Sequence, residues 1–109
     1  MTPATEPTLR PRSAFLDPAD SVPIASLVWR DEAQVTGRVR SMRVWPVGDV
    51  ASLECVLVDD TGGVSVAFLG RATIAGIGPG TRMTVAGRVG SRRERLAFLN
   101  PIYTLSPPA

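Results

Sequence analysis

From Ala33 onward the apolar residues recur at every second position, in runs broken by clusters of Gly, Pro and Asp. Period two marks strands with one face inward, so this pattern points to an all-β domain. Gln34 to Val44 alternates, with Val35, Val39 and Val44 inward and Thr36, Arg38 and Arg40 outward. Gly37 interrupts this run. An interior glycine weakens a strand but permits the sharp bend by which one strand serves both sides of a small barrel. Pro46-Val47-Gly48-Asp49 reads as a turn, and Leu53 to Val58 as a second strand, apolar almost throughout. Asp59-Asp60-Thr61-Gly62-Gly63 has the residues a hairpin turn demands, and Val64 to Leu69 returns from it. Gly70 to Gly80 breaks the alternation, with one or two helical turns expected over Ala72 to Ile77. Met83, Val85, Gly87 and Val89 mark a fourth strand, and Ser91 to Glu94 a charged turn. Arg95 to Asn100 is a fifth strand, resuming through Ile102 to Leu105.

At 109 residues the chain is one domain, near the lower size limit for folding without staples. A closed barrel suits that length, because inward side chains from every strand share one core. Residues 1–20 hold Pro3, Pro7, Pro11 and Pro18 and few large apolar side chains, and read as a disordered Pro-rich arm. The structured domain is expected over 21–105, followed by a frayed tail at 106–109. Ser21 to Arg30 carries a capping Ser, an early Pro and Ile24, Leu27 and Val28 at helical spacing. A short helix plugging one end of the barrel is expected there, with Trp29 capping it.

Composition removes several functions. Histidine and lysine are absent and Cys55 is the single cysteine. The usual general base, the usual zinc ligand and both common nucleophilic triads are therefore missing, and no intramolecular disulfide is possible. We expect no enzyme, no metal and no cofactor. No apolar run reaches 18 residues, and the N-terminus lacks the basic and apolar regions of a signal peptide. A cytoplasmic protein without a membrane segment is the expectation.

The charge is uneven. Residues 1–32 carry three Arg against five acids, whereas residues 33–109 carry nine Arg against five acids. The folded part is thus basic, and a basic domain attracts polyanions. Val35-Thr36-Gly37-Arg38-Val39-Arg40-Ser41 and Val85-Ala86-Gly87-Arg88-Val89-Gly90-Ser91 share one frame, V-x-G-R-V-x-S. The echo suggests that strands one and four are neighbours with the same task, an Arg-bearing strand hinged at glycine.

Several segments resemble OB-fold nucleic-acid-binding domains, in particular the wedge domain of RecG helicases and bacterial tRNA-anticodon-type OB domains. They are Val35 to Val39, Val58 to Val64, Ala67-Phe68-Leu69-Gly70, Gly80 to Val89 and Leu99-Asn100-Pro101-Ile102-Tyr103. The resemblance covers Gln34 to Leu105. It implies a five-stranded Greek-key barrel with a helix between strands three and four. It also implies a ligand face over strands two and three, flanked by the loops between strands one and two and between four and five. Leu69 stands where the wedge-like pattern often has a second aromatic, and no helicase motif is present.

The candidate site follows from charge and aromatics. Arg38, Arg40 and Arg43 lie along strand one, and Arg88, Arg92, Arg93 and Arg95 gather around the turn between strands four and five. They suit phosphate contacts along a groove, with the turn at Ser91 to Arg95 as the preferred single site, although a solvated exterior gives the same pattern. Trp45, beside Arg43 and before a turn, reads equally as a base-stacking residue or a lid over the barrel mouth. Phe68 is the second stacking candidate, although Phe68 and Phe98 more often belong to a core. Asp59 and Asp60 read as turn residues and Cys55 as a small core residue. The expected ligand is single-stranded or branched DNA or RNA, read with little sequence preference by a monomeric or weakly associating domain. The alternative is an OB module that docks a protein partner in a repair or translation complex.

Overall fold

The computed structural model describes residues 15–106, and the Pro-rich stretch 1–14 and the tail 107–109 lie outside the described residues. Six strands form one sheet: β1 (Glu32–Val47), β2 (Val50–Val58), β3 (Gly63–Leu69), β4 (Arg82–Arg92), β5 (Arg95–Leu99) and β6 (Ile102–Ser106). The domain is all-β. The ladder runs β1-β2-β3-β5-β4, and β4 also pairs with β1, so five strands close into a ring. The β3–β5 pairing is parallel and the others are antiparallel, with β6 adding to β4 past the end of β5. Asn100-Pro101 separates β5 from β6, where a proline cannot donate to the ladder.

The ring closes because β1 is long enough to pair twice. Glu32 to Arg38 faces β4, and Arg38 to Val47 faces β2. Gly37 sits at this hand-over, where a Cβ would lie 2.4 Å from the Val58 carbonyl oxygen. The register shifts between Val39 and Ser41, leaving Arg40 as an unpaired bulge residue. The bulge moves the inward positions of β1 from odd to even numbers. Met42 and Val44 then oppose the buried Cys55 and Leu53, although Val44 itself remains 51% exposed. Ser41, Arg43 and Trp45 go to the outer face.

The inward set from all strands makes one core of Val35, Val39, Leu53, Leu57, Val66, Phe68, Met83, Val85, Val89 and Phe98. Phe68 meets Tyr103 edge-on, with ring centroids 5.5 Å apart. Ile24 and Ile74, from the segments before β1 and between β3 and β4, complete this core.

Of the two expected helices, the N-terminal one is reduced to short 3-10 turns and the one between β3 and β4 is absent. In place of a helix over Ser21 to Arg30 there are single 3-10 turns at Pro18–Asp20 and Ile24–Ser26. The sheet takes the backbone donors that a helix needs: Val22 N–H donates to the Gln34 carbonyl, Ile24 N–H to Asp59 Oδ2 and Ala25 N–H to Thr61 Oγ1. A ten-residue helix is marginal alone and does not outcompete these bonds. Ile24 reaches the core, whereas Trp29 is 55% exposed and caps nothing. Between β3 and β4 the chain makes turns, with Gly70, Gly76 and Gly80 all at positive φ, a conformation that ends helices. Of the expected arm, Leu16 to Asp20 is tied to the sheet: Leu16 N–H donates to Thr104 Oγ1, and Gln34 Nε2 to the Asp17 carbonyl. No helix among the described residues is long and apolar enough to cross a membrane.

Candidate functional site

Outward positions on β1, β2 and β3 form an open face bearing Ser41, Arg43 and Trp45, then Ser52, Glu54 and Val56, then Ser65. The β4–β5 hairpin bends over this face. Its tip, Arg93-Glu94, takes φ of 51° and 66°, left-handed values that turn the chain within two residues. The turn brings Arg92 and Arg93 down onto Glu54 of β2.

Glu54 is the hub. Its side chain is only 11% exposed, and Arg93 Nη1 donates to Oε1 at 2.7 Å. Trp45 Nε1 donates to the same oxygen at 2.9 Å. Arg92 Nε faces Oε2 at 2.9 Å but off the hydrogen-bond angle, so that contact is an ion pair and not an aligned bond. A buried carboxylate demands such partners, because unpaired it would cost several kcal/mol. The Arg93 guanidinium lies 4.0 Å from the Trp45 ring centroid and that of Arg43 lies 4.9 Å from it. Trp45 is half-buried, its N–H taken by Glu54 and its ring covered by cations. Directly across from it, Ser52 Oγ is buried without a hydrogen-bond partner.

The same face continues past Val56 and Ser65 into a second concavity lined by Arg40, Arg95, Leu96 and the β2–β3 turn. Arg40, Arg43, Arg92, Arg93 and Arg95 therefore share one surface, with Glu54 between them and Asp59 and Asp60 at its far end. Around Glu54 this is a surplus of positive charge, and Arg40, Arg43 and Arg95 have no carboxylate within ion-pair distance among the described residues.

Three expected site residues lie elsewhere. Phe68 is 2% exposed, because it opposes Leu53 on the inward face of β3, so it is a core residue and offers no stacking surface. Arg88 is on the β1–β4 seam, its Nη1 donating to the Arg30 carbonyl at 2.7 Å and its Nη2 3.4 Å from Glu32. Arg38 stands opposite Arg82 beside Asp59 and Asp60, on the regular stretch of β1 before the bulge at Arg40. The sequence echo thus marks two neighbouring strands but not a shared task. Glu54 was missed because it is buried inside an apolar run. A single Glu among Leu53, Cys55, Val56 and Leu57 was the available signal.

Asp59 is structural. Burial works to raise its pKa, but the Thr61 hydroxyl and the N–H groups of Ile24, Thr61 and Gly62 outweigh that and hold it below the usual carboxylate value. These bonds fasten the segment before β1 to the β2–β3 turn. Burial, aided by the Glu54 charge, pushes the Cys55 thiol up to about 11, which leaves it protonated and unreactive at neutral pH. Among the described residues no three His, Cys, Asp or Glu side chains gather as metal ligands do. No protein-family model matches the chain, and no curated protein sequence matches it.

Proposed function

We propose that this chain is an OB-type barrel that binds single-stranded or branched nucleic acid through the arginine face of β1, β2 and the β4–β5 hairpin. The single observation that carries the reading is the convergence of Arg40, Arg43, Arg92, Arg93 and Arg95 on one open concave surface. Guanidinium groups make forked contacts to phosphate, and a groove of them tracks a backbone without reading bases. The ring order β1-β2-β3-β5-β4 closing on β1 supports the OB assignment, as does the position of this face between the β1–β2 and β4–β5 turns. With Phe68, Phe98 and Tyr103 buried and Trp45 covered by cations in the free chain, affinity rests mainly on charge.

The test is a fluorescence titration of the two tryptophans with a short oligonucleotide at 50 and 200 mM salt. Single-strand binding falls with salt at a slope of about −0.7 per phosphate neutralised, so five guanidiniums give a slope of about −3.5 and a loss of roughly 100-fold across that range. Absence of binding at 50 mM salt refutes the proposal. A protein-docking reading then takes its place, favoured by the exposed side chains of Val22, Val28 and Trp29.

A further inference from the structure

The arginine face is occupied by an anion of its own. Glu54 is the only carboxylate at its centre among the described residues, and it engages Arg92, Arg93 and the Trp45 indole at once. Those are the groups that a phosphate and a base need: two guanidinium donors and one ring. In the closed arrangement the Arg93 guanidinium covers that ring and the indole N–H is taken. Where Arg93 covers the ring, a base can stack only once that contact is broken.

The contacts also differ in how easily they yield. Arg93 is at a hairpin tip, 46% exposed, on a turn held by two left-handed residues, and can swing outward without disturbing the core. Glu54 is held in the middle of β2 between β1 and β3 and cannot follow. The Arg92 contact is imperfect as well: Glu54 Oε2 and Arg92 Nε are both buried without an aligned hydrogen bond.

We propose that Glu54 is a built-in competitor for phosphate: it holds the β4–β5 hairpin and Trp45 in a self-paired state, and a nucleic-acid phosphate takes Arg92 and Arg93 from it. Trp45 is then released to stack on a base. The inference rests on the nucleic-acid reading and names the residue that limits affinity within it.

The experiment measures binding of a short oligothymidylate to the wild-type chain and to Glu54→Gln at one low salt concentration. The Gln amide oxygen still accepts from Trp45 and Arg93, so the fold is kept while the competing charge is lost. Glu54→Gln is expected to bind at least about tenfold more tightly, the scale of one charge-assisted hydrogen bond no longer broken. In parallel, the Trp45 indole N–H resonance of the wild-type chain, assigned by its loss in Trp45→Phe, is followed to saturation. This measurement needs no folded Glu54 variant, and the resonance is expected to leave its free-state position as the Glu54 bond breaks. Equal or weaker binding by Glu54→Gln, or an indole resonance unmoved at saturation, overturns the competitor role while the nucleic-acid reading stands. If neither chain binds, the nucleic-acid reading itself fails and the competitor role falls with it.

Discussion

Gly37 and Gly87 occupy the same place in the repeated V-x-G-R-V-x-S frame, yet the structure assigns them opposite tolerances to alanine. A Cβ on Gly37 would meet the Val58 carbonyl oxygen at 2.4 Å, its carbon at 2.9 Å and Leu57 Cγ at 3.1 Å, whereas ordinary contact begins at 3.4 Å. The oxygen must therefore yield by about 1 Å. It belongs to a strand end held by β1 on one side and β3 on the other, so rotamer changes cannot relieve the clash. Overpacking of a core by one methyl costs about 1–3 kcal/mol, and a backbone obstacle puts Gly37→Ala at the upper end. The stiffer unfolded chain returns about 0.5–1 kcal/mol, leaving a net loss of about 2–2.5 kcal/mol. For a domain of this size that is a fall in Tm of roughly 10–20 °C. On Gly87 the same methyl finds Phe98 and Pro101 at 3.9 Å, ordinary contact, so Gly87→Ala is expected to range from neutral to about 1 kcal/mol more stable. Urea denaturation of both variants measures the difference. Equal destabilisation by the two, or a Gly37→Ala protein within about 0.5 kcal/mol of wild type, shows that the ring does not close through a tight crossing at Gly37.

Other consequences are as direct. Arg40→Gln is expected to reduce the salt slope of oligonucleotide binding by about 0.7, while Arg88→Gln leaves it unchanged, because Arg88 is on the β1–β4 seam; titrations at four salt concentrations compare them. The Cys55 thiol, raised in the fold from 9.0 to about 11, favours the folded state below its unfolded value, and that stability is lost as pH rises through the interval; urea melts from pH 8 to 11 are expected to show a decline that Cys55→Ala lacks. Asp59 has the opposite sign: its lowered pKa stabilises the fold above the unfolded value of 3.8 and is lost as pH falls through the folded one. Asp59→Asn is therefore expected to flatten the acid limb of the stability profile, and an unchanged limb would assign acid unfolding to other carboxylates.

The strands were legible because their signal is local. Val35 and Val39 alternate with polar neighbours, Leu57 lies in an apolar run, Val66, Val85 and Val89 recur at every second position of their strands, and every one of them is buried. The turn at Asp59 to Gly63 was equally plain, since its side-chain bonds close within three residues. The helix over Ser21 to Arg30 shrinks to a 3-10 turn and that between β3 and β4 does not form for one reason: the local pattern there is weak, and contacts with distant residues decide the backbone.

The site divides along the same line. Side-chain type dictated that Arg40, Arg43 and Arg95 would reach solvent in a basic domain. Whether they would meet was decided by geometry that no window of residues contains. The bulge at Arg40 shifted Trp45 to the outer face, and the left-handed turn at Arg93-Glu94 brought Arg93 onto Glu54, 39 positions away. Charge is a property of residues, and a composition records it. Pairing of charges is a property of distance, and only the closed ring, with its hairpin bent back over β2, brings those residues within reach.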